Sequence, residues 1–126
     1  MSAKILVVED EPENRLLIGM ILSAEGYQVI PAVNGADALA RMESEPPDLI
    51  LLDLMMPQMN GFEVLERLRA HPATAPVPVI VLTALAQERD IARAVASGAQ
   101  GYVIKPFEPD ELLSRIEQML GHQAIK

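Results

Sequence analysis

The amino-acid sequence predicts a doubly wound α/β fold, in which an open sheet of five parallel strands is covered by five helices. Short runs rich in Val, Ile and Leu alternate five times with segments whose apolar residues recur every three or four positions. The short runs are continuously apolar, which is typical of parallel strands that are buried on both faces. No internal repeat interrupts this alternation, so we expect one domain from the 126 residues.

Each strand is predicted from a short apolar run that ends at a polar residue. The first run, KILVV, ends at Glu9 and Asp10, and the third, LILL, ends at Asp53. The fourth run ends at Thr83 and the fifth at Lys105. We expect strands at residues 4–8, 27–32, 49–52, 79–82 and 102–104.

Helices are predicted between the strands from the spacing of apolar residues and from start and stop signals. Pro12 suits a first helical turn, Asn60 is a candidate N-cap, and Gly26 and Gly98 suit helix ends. The residues expected to face the core are, helix by helix, Leu16, Leu17, Met20, Ile21 and Ala24; Ala36, Leu39 and Ala40; Phe62, Leu65 and Leu68; Ile91, Ala92, Val95 and Ala99; and Leu112, Leu113, Ile116, Met119 and Leu120.

Composition restricts the possible classes of protein. The net charge of −8 argues against direct binding to the phosphates of nucleic acids. There is no cysteine, which excludes disulfides and thiolate metal sites, and no apolar run reaches the about 18 residues of a membrane span. The first residues, MSAKILVVEDE, do not resemble a secretory signal. We therefore expect a cytoplasmic protein that binds neither membranes nor nucleic acid directly.

Five polar residues are expected to converge because ligands bind outside the carboxyl ends of the strands in an open parallel sheet. They are Glu9, Asp10, Asp53, Thr83 and Lys105. Each alone has a plain structural explanation, such as a helix cap, a turn or a solvated strand end. Together, from four separate segments, they indicate a functional site.

The chemistry of this set fits phosphoryl transfer. Crowded carboxylates repel each other, and Mg²⁺ bound by carboxylate oxygens relieves the repulsion. A carboxylate can also attack phosphorus and form an aspartyl-phosphate, which makes Asp53 the candidate nucleophile. Lys105 would neutralise charge on the phosphoryl group and Thr83 would donate a hydrogen bond to it.

Four segments, VVEDE, LLDLMMPQMNG, VLTA and GYVIKPF, resemble the receiver domain of bacterial two-component response regulators. The resemblance covers nearly the whole chain. It implies a flavodoxin-like sheet in strand order 2-1-3-4-5, with a receiver domain at residues 1–121 and a C-terminal tail at residues 122–126.

The resemblance also implies a role for individual residues. Asp53 matches the phosphorylated aspartate, and Glu9 and Asp10 match the acidic pair that binds Mg²⁺ together with Asp53. Met55 matches the position whose backbone carbonyl binds the metal.

The same resemblance also implies roles for the residues that would transmit the effect of phosphorylation to the rest of the domain. Thr83 and Lys105 match the signalling hydroxyl and the phosphate-binding lysine, and Tyr102 matches an aromatic switch position, although it could instead be a partly buried edge-strand ring. The bond between Lys105 and Pro106 matches a cis peptide. Met55 and Leu85, two residues after Asp53 and Thr83, are apolar, so we expect slow loss of the phosphoryl group.

A partner must supply the phosphoryl group, because neither histidine, His71 or His122, is expected at the strand-end cluster. The implied partner is a histidine kinase or a histidine phosphotransfer protein. We expect it to dock on the first helix, around Asn14, Arg15 and Ile18, and on the loop at residues 105–108. Leu17 is expected in the core.

The leading prediction for output is a single-domain regulator that switches contacts with a downstream protein target at the fourth helix, fifth strand and fifth helix. The alternative is the receiver of a larger regulator with a DNA-binding or enzymatic output. We expect a monomer or a weak phosphorylation-dependent dimer. The third possibility, an aspartate-nucleophile phosphatase, is less favoured because Met55 stands where its general acid would be, and we expect no turnover of a small-molecule substrate.

Overall fold

A computed structural model of the protein describes residues 2–56, 60–72 and 74–124. Strands and helices alternate along the described chain, as predicted. The strands are β1 Lys4–Val8, β2 Gln28–Ala32, β3 Leu49–Leu52, β4 Val79–Thr83 and β5 Gly101–Ile104. The helices are α1 Pro12–Ala24, α2 Gly35–Ser44, α3 Gly61–Ala70, α4 Glu88–Ala96 and α5 Pro109–Ala124.

The five strands form one parallel sheet in the order β2-β1-β3-β4-β5, which confirms the predicted doubly wound topology. The register aligns the strand ends: Val8 pairs with Ala32 and with Leu52, and Thr83 pairs with Ile104. The residues that follow these strands are therefore brought to the same edge of the sheet.

Two clusters of buried apolar side chains cover the two faces of the sheet. Ile5 and Val7 of β1 belong to one cluster, and Leu6 and Val8 belong to the other, because successive side chains of a strand point to opposite faces. Helices α1 and α5 pack on the first face, and α2, α3 and α4 pack on the second. Burial on both faces explains why the strands are continuously apolar.

The predicted core face of α1 is wrong. Ile18 and Leu22 face the sheet, at 2% and 0% exposure, whereas Leu16, Leu17 and Met20 are 66%, 51% and 61% exposed. Leu17, expected in the core, is thus on the surface, and Ile18, expected on the docking surface, is buried. The helix is apolar on nearly every side, so spacing alone does not identify the face that packs.

The predicted faces of α2 and α4 are also partly wrong. In α2 the buried residues are Gly35, Ala38 and Met42, and Leu39 is partly buried. In α4 Ala94 is buried and Val95 is exposed. The exposed alanines that were expected inside are Ala24, Ala36, Ala40 and Ala92. Alanine is small enough to be tolerated on either face, so it gives a weak periodic signal.

The predictions for α3 and for the inner face of α5 are confirmed. Phe62, Leu65 and Leu68 are buried, and Asn60 caps α3 by accepting a hydrogen bond from the N–H of Glu63 at 3.0 Å. Helix α5 buries Leu112 and Ile116. It continues to Ala124, so the helix includes the first three residues of the tail that was expected at residues 122–126.

Within the described part of the chain, no helix combines the length and the apolar character that a membrane crossing requires.

Candidate functional site

Three charged side chains meet at the carboxyl edge of the sheet. The ammonium of Lys105, after β5, lies 2.6 Å from Oε1 of Glu9, after β1, and 3.1 Å from Oδ2 of Asp53, after β3. Both carboxylates are buried, at 2% and 6% exposure. The strand register brings these residues together, and the ammonium partly balances the two negative charges.

Asp53 is held in place by strand β1 and by its own loop. Its N–H donates to the carbonyl of Val8 at 3.1 Å, and its Oδ1 accepts a hydrogen bond from the N–H of Met55 at 2.9 Å. At the start of α3, a Cβ added to Gly61 would lie 2.5 Å from Cα of Leu54 and 2.7 Å from the carbonyl oxygen of Asp53. Glycine is therefore required at this position for the close return of the chain beside Asp53.

A third carboxylate completes a cluster that could hold a metal ion. Oxygen atoms of Glu9, Asp10 and Asp53 lie within 4.8 Å of one another, and Asp10 is the most accessible of the three. An all-carboxylate donor set suits a hard cation such as Mg²⁺, which prefers oxygen ligands and retains several waters. The residues present thus fit the predicted metal.

Burial and neighbouring charges alter the proton affinity of this cluster. Burial raises the pKa of Glu9 above its ordinary value, and the negative charge of Asp53 raises it further. The hydrogen bond from Lys105 lowers this pKa, but the net shift is upward. For Lys105, burial lowers the pKa, but the hydrogen bond to Glu9 and the charge of Asp53 outweigh it, so the net pKa is raised. Lys105 therefore carries its full positive charge at neutral pH.

Thr83 and Tyr102 contact the same loop after β4. Thr83 is fully buried, and its hydroxyl oxygen accepts a hydrogen bond from the N–H of Leu85 at 3.4 Å. The phenol of Tyr102, which is half-buried, donates to the carbonyl of Leu85 at 2.8 Å. The backbone of Leu85 is thus bound on both sides by the two residues predicted to signal.

The peptide bond between Lys105 and Pro106 is cis. It lies beside an apolar groove of about 500 Å³ between α1 and the loop that leads into α5. The groove is lined by Asn14, Leu17, Ile18, Ile21, Ala84, Lys105, Pro106, Phe107 and Pro109. The predicted docking region therefore includes a preformed apolar surface next to Lys105.

Arg15 has a role that the sequence did not show. It was expected on the docking surface, but its guanidinium donates from Nη1 to the carbonyl of Glu9 at 2.8 Å and to that of Asp10 at 3.4 Å. The one available signal is its spacing of five residues after Asp10, which lets an arginine in the first turns of a helix reach back to the preceding loop.

The two histidines lie at helix ends rather than among the strand-end residues. His71 is the C-cap of α3 and lines a groove with Pro46 and Pro47. His122 belongs to the last turns of α5.

Fold and site together define a flavodoxin-like α/β domain with a carboxylate cluster at the carboxyl edge of its sheet. The chain belongs to the response regulator receiver domain family, whose profile matches residues 5–117. It is therefore a receiver domain of a two-component response regulator.

Curated relatives are transcriptional regulators that are longer than this chain. The phosphate regulon transcriptional regulatory protein PhoB of Rhizobium meliloti (strain 1021) is 42% identical over 120 residues, which are 95% of this chain and 53% of that protein. The DNA-binding dual master transcriptional regulator RpaA of Synechocystis sp. (strain ATCC 27184 / PCC 6803 / Kazusa) is 42% identical over 117 residues, 93% of this chain and 48% of that protein. The chain thus spans about half the length of these relatives.

Solved structures that resemble the chain have its length. The chemotaxis protein CheY4 of Vibrio cholerae matches with a TM-score of 0.90 and 32% identity, over 94% of this chain and 99% of that one. A CheY-like receiver domain protein from Methanospirillum hungatei JF-1 matches with a TM-score of 0.90 and 32% identity, over 98% of each chain. These similarities confirm the strand order and the fold.

Proposed function

We propose that Asp53 accepts a phosphoryl group from a phosphohistidine of a partner protein. The observation that carries this proposal is the placement of one buried carboxylate against both an ammonium, Lys105, and two further carboxylates, Glu9 and Asp10. A lone buried aspartate would be expensive to ionise, and this set of neighbours prepares it for a reaction in which negative charge arrives and a cation compensates it.

In the transfer step a carboxylate oxygen of Asp53 forms a bond to phosphorus while the bond between phosphorus and the imidazole nitrogen of the donor breaks. The electron pair of the broken bond stays on that nitrogen. The positive charge of Lys105 lies where it can stabilise the phosphoryl oxygens, and the N–H of Met55 fixes the orientation of the attacking carboxylate.

Mg²⁺ held by Glu9, Asp10, Asp53 and the backbone carbonyl of Met55 would neutralise charge on the transferred group. The hydroxyl of Thr83 then has a new acceptor, because the phosphoryl group adds about −1.5 to −2 charges and several oxygens at the strand ends.

We further propose that the loop at residues 84–88 carries the signal. When Thr83 turns toward the phosphoryl group, its contact with Leu85 is lost, the loop follows, and Tyr102 moves into the space that is vacated. This is a population shift between two packings of α4, β5 and α5.

The surface of α1 is the proposed docking site for the phosphodonor, a histidine kinase or histidine phosphotransfer protein. Leu16, Leu17 and Met20 form an exposed apolar stripe, and Leu17 also lines the groove beside Lys105. Large exposed apolar side chains that cluster on one helix are typical of interaction surfaces. Docking there would bring the donor histidine to the edge where Asp53 lies.

Two outputs are compatible with a receiver. The curated relatives named above are transcriptional regulators of about twice the length, and RpaA is DNA-binding, which supports a receiver that controls a DNA-binding domain. The alternative is a single-domain regulator that acts through protein contacts, which the similarity to CheY4 supports. Direct contact of this domain with nucleic acid is not part of either proposal, because its net charge is −8.

Incubation with acetyl phosphate and MgCl₂ tests the acceptor. We expect an acid-labile mass increase of one phosphoryl group in the wild type and none in Asp53→Asn. Asp48→Asn is the matched control, because Asp48 lies at the opposite end of β3 and binds the N–H of Lys4. A wild-type protein that never acquires the adduct at Asp53 would overturn the proposal.

A further inference from the structure

Arg15 links helix α1 to the loop that carries two of the three clustered carboxylates. Its side chain is partly buried, and the same nitrogen, Nη1, donates to the carbonyls of two consecutive residues, Glu9 and Asp10. Among the described residues no carboxylate lies within ion-pair distance of this guanidinium. Its charge is therefore directed at backbone oxygens and not at an acidic side chain.

Those two carbonyls control where the acidic side chains point. The carbonyl of a residue is separated from its side chain by one backbone rotation, ψ, so a fixed carbonyl restricts ψ and narrows the directions that the side chain can take. Glu9 is held further by its own N–H, which donates to Ala32, and by the N–H of Glu11, which donates to its Oε2 at 3.3 Å. For Asp10, the most exposed ligand of the cluster, the bond from Arg15 is the contact that ties its carbonyl to the helix.

We propose that Arg15 is a positioning residue for the metal site: it orients the loop after β1 so that the carboxylates of Glu9 and Asp10 converge with that of Asp53. The inference rests on the proposed function, since it assumes that this cluster binds Mg²⁺. Hydrogen-bond partners that orient metal ligands commonly affect metal affinity as strongly as a ligand does.

The direction in which Mg²⁺ affinity changes when Arg15 is replaced distinguishes a positioning role from a purely electrostatic one. Arg15 is a cation near a cation site, so through charge alone its removal would tighten Mg²⁺ binding. Through positioning, its removal loosens the loop and weakens binding. Arg15→Met removes both the charge and the donors, whereas Arg15→Lys keeps the charge but places its nitrogen one bond closer to the backbone than Nη1, which donates to both carbonyls.

The experiment is isothermal titration of the metal-free protein with MgCl₂, with amide spectra recorded on the same samples. For Arg15→Met we expect the Kd to rise roughly tenfold, and for Arg15→Lys a smaller rise in the same direction. In spectra recorded without Mg²⁺, we expect the amide signals of residues 9–11 in both variants to be shifted from their wild-type positions. Arg115→Met is the control, because it makes the same charge change on the exposed side of α5 and should leave the Kd unchanged within about twofold.

Different results would reject different claims. If the wild type does not bind Mg²⁺ at millimolar concentrations, the proposed function fails. If the wild type binds and Arg15→Met binds as tightly or more tightly, only the role of Arg15 fails. If Arg15→Met does not fold, Arg15→Lys decides, since it retains the charge and any loss of affinity then comes from geometry; an unchanged Kd in that variant would overturn the inference.

Discussion

The ammonium of Lys105 lies closer to Glu9, at 2.6 Å, than to Asp53, the proposed acceptor, at 3.1 Å. Glu9 is the more deeply buried of the two acids, so it is also the one that most needs a counter-charge. The lysine thus stabilises the whole acidic pocket, and a bound cation would share that task with it.

Mg²⁺ affinity should fall as the pH is lowered. The pKa of Glu9 is raised above 4.5 by burial and by Asp53, so the folded protein binds this proton more tightly than the unfolded chain does. Protonation of Glu9 therefore stabilises the folded protein below pH 4.5, and this stabilisation is lost as the pH rises through the pKa that Glu9 has in the folded protein. Mg²⁺ needs the ionised form, so as the pH falls toward the raised pKa of Glu9 it must increasingly displace a proton.

Titration calorimetry at several pH values would measure this effect. Glu9→Gln is the informative variant: it should bind Mg²⁺ more weakly at pH 8 and show a shallower dependence on pH. Equal slopes for the wild type and Glu9→Gln would show that Glu9 is not the group that titrates.

The bond from Tyr102 to Leu85 should hold the loop after β4 in its unphosphorylated arrangement. Burial, together with Asp90 and Asp53, raises the pKa of Tyr102, so the phenol remains a donor at neutral pH. In Tyr102→Phe one hydrogen bond worth about 1 kcal/mol is lost, which would shift a two-state equilibrium about fivefold toward the switched form.

Amide chemical shifts with and without beryllofluoride and Mg²⁺ would define the two end states of this switch. We expect the signals of residues 84–88 in unphosphorylated Tyr102→Phe to move along the line between those end states. Tyr27→Phe is the control for loss of a phenol elsewhere. Wild-type signals of residues 87–102 that do not respond to beryllofluoride would contradict the switch itself.

Arg69 should contribute strongly to stability, because it donates hydrogen bonds to four acceptors in two other segments of the chain. Its guanidinium donates to the carbonyls of Ala75 and Val77 at 2.6 and 2.7 Å, to that of Gly98 at 2.6 Å, and to the amide oxygen of Gln100 at 2.8 Å. In Arg69→Met these partly buried acceptors lose their donor, and we expect the free energy of unfolding to fall by about 2–3 kcal/mol.

Urea denaturation would measure this loss. Arg67→Met is the matched control: Arg67 is exposed, two residues earlier on the same helix, and its replacement should change the free energy of unfolding by no more than about 0.5 kcal/mol. Equal effects of the two substitutions would show that the carbonyls recover their hydrogen bonds from water.

Local signals explain which parts of this structure could be predicted. Strand ends were predicted within one residue because an apolar run and the polar residue that ends it are neighbours in sequence. The convergence of Glu9, Asp53 and Lys105 followed from the topology of a parallel sheet. The inward face of α1 could not be predicted, because Leu17 and Ile18 are equally apolar.

Contacts between a side chain and a distant backbone carbonyl also remained hidden. Arg69 and Gly98 are 29 residues apart, and no pattern in either segment marks the pairing. In the sequence, an arginine near the end of an amphipathic helix gives the same pattern whether its hydrogen bonds go to water or to backbone carbonyls. Such residues are recognised only when the packing of α3 against α4 is known.

The phosphoryl group on Asp53 should be lost slowly, because the residues two positions after Asp53 and after Thr83 are apolar and cannot orient an attacking water. Met55 is 54% exposed beside Asp53, and Leu85, two residues after Thr83, packs partly against the core. Met55→Asn places an amide at the first of these positions, and we expect dephosphorylation to be on the order of tenfold faster, through better orientation of water.

The decay of the acid-labile adduct, followed by intact-mass spectrometry after removal of acetyl phosphate, measures this rate. Met55→Leu is the control, since it changes the shape of the side chain without adding a polar group and should decay as slowly as the wild type. Both variants keep the backbone N–H that bonds Oδ1 of Asp53, so a difference between them reports on the side chain alone. Loss of the phosphoryl group from the wild type within seconds, with no phosphatase present, would contradict the prediction, because water would then reach phosphorus in a productive orientation despite the two apolar neighbours.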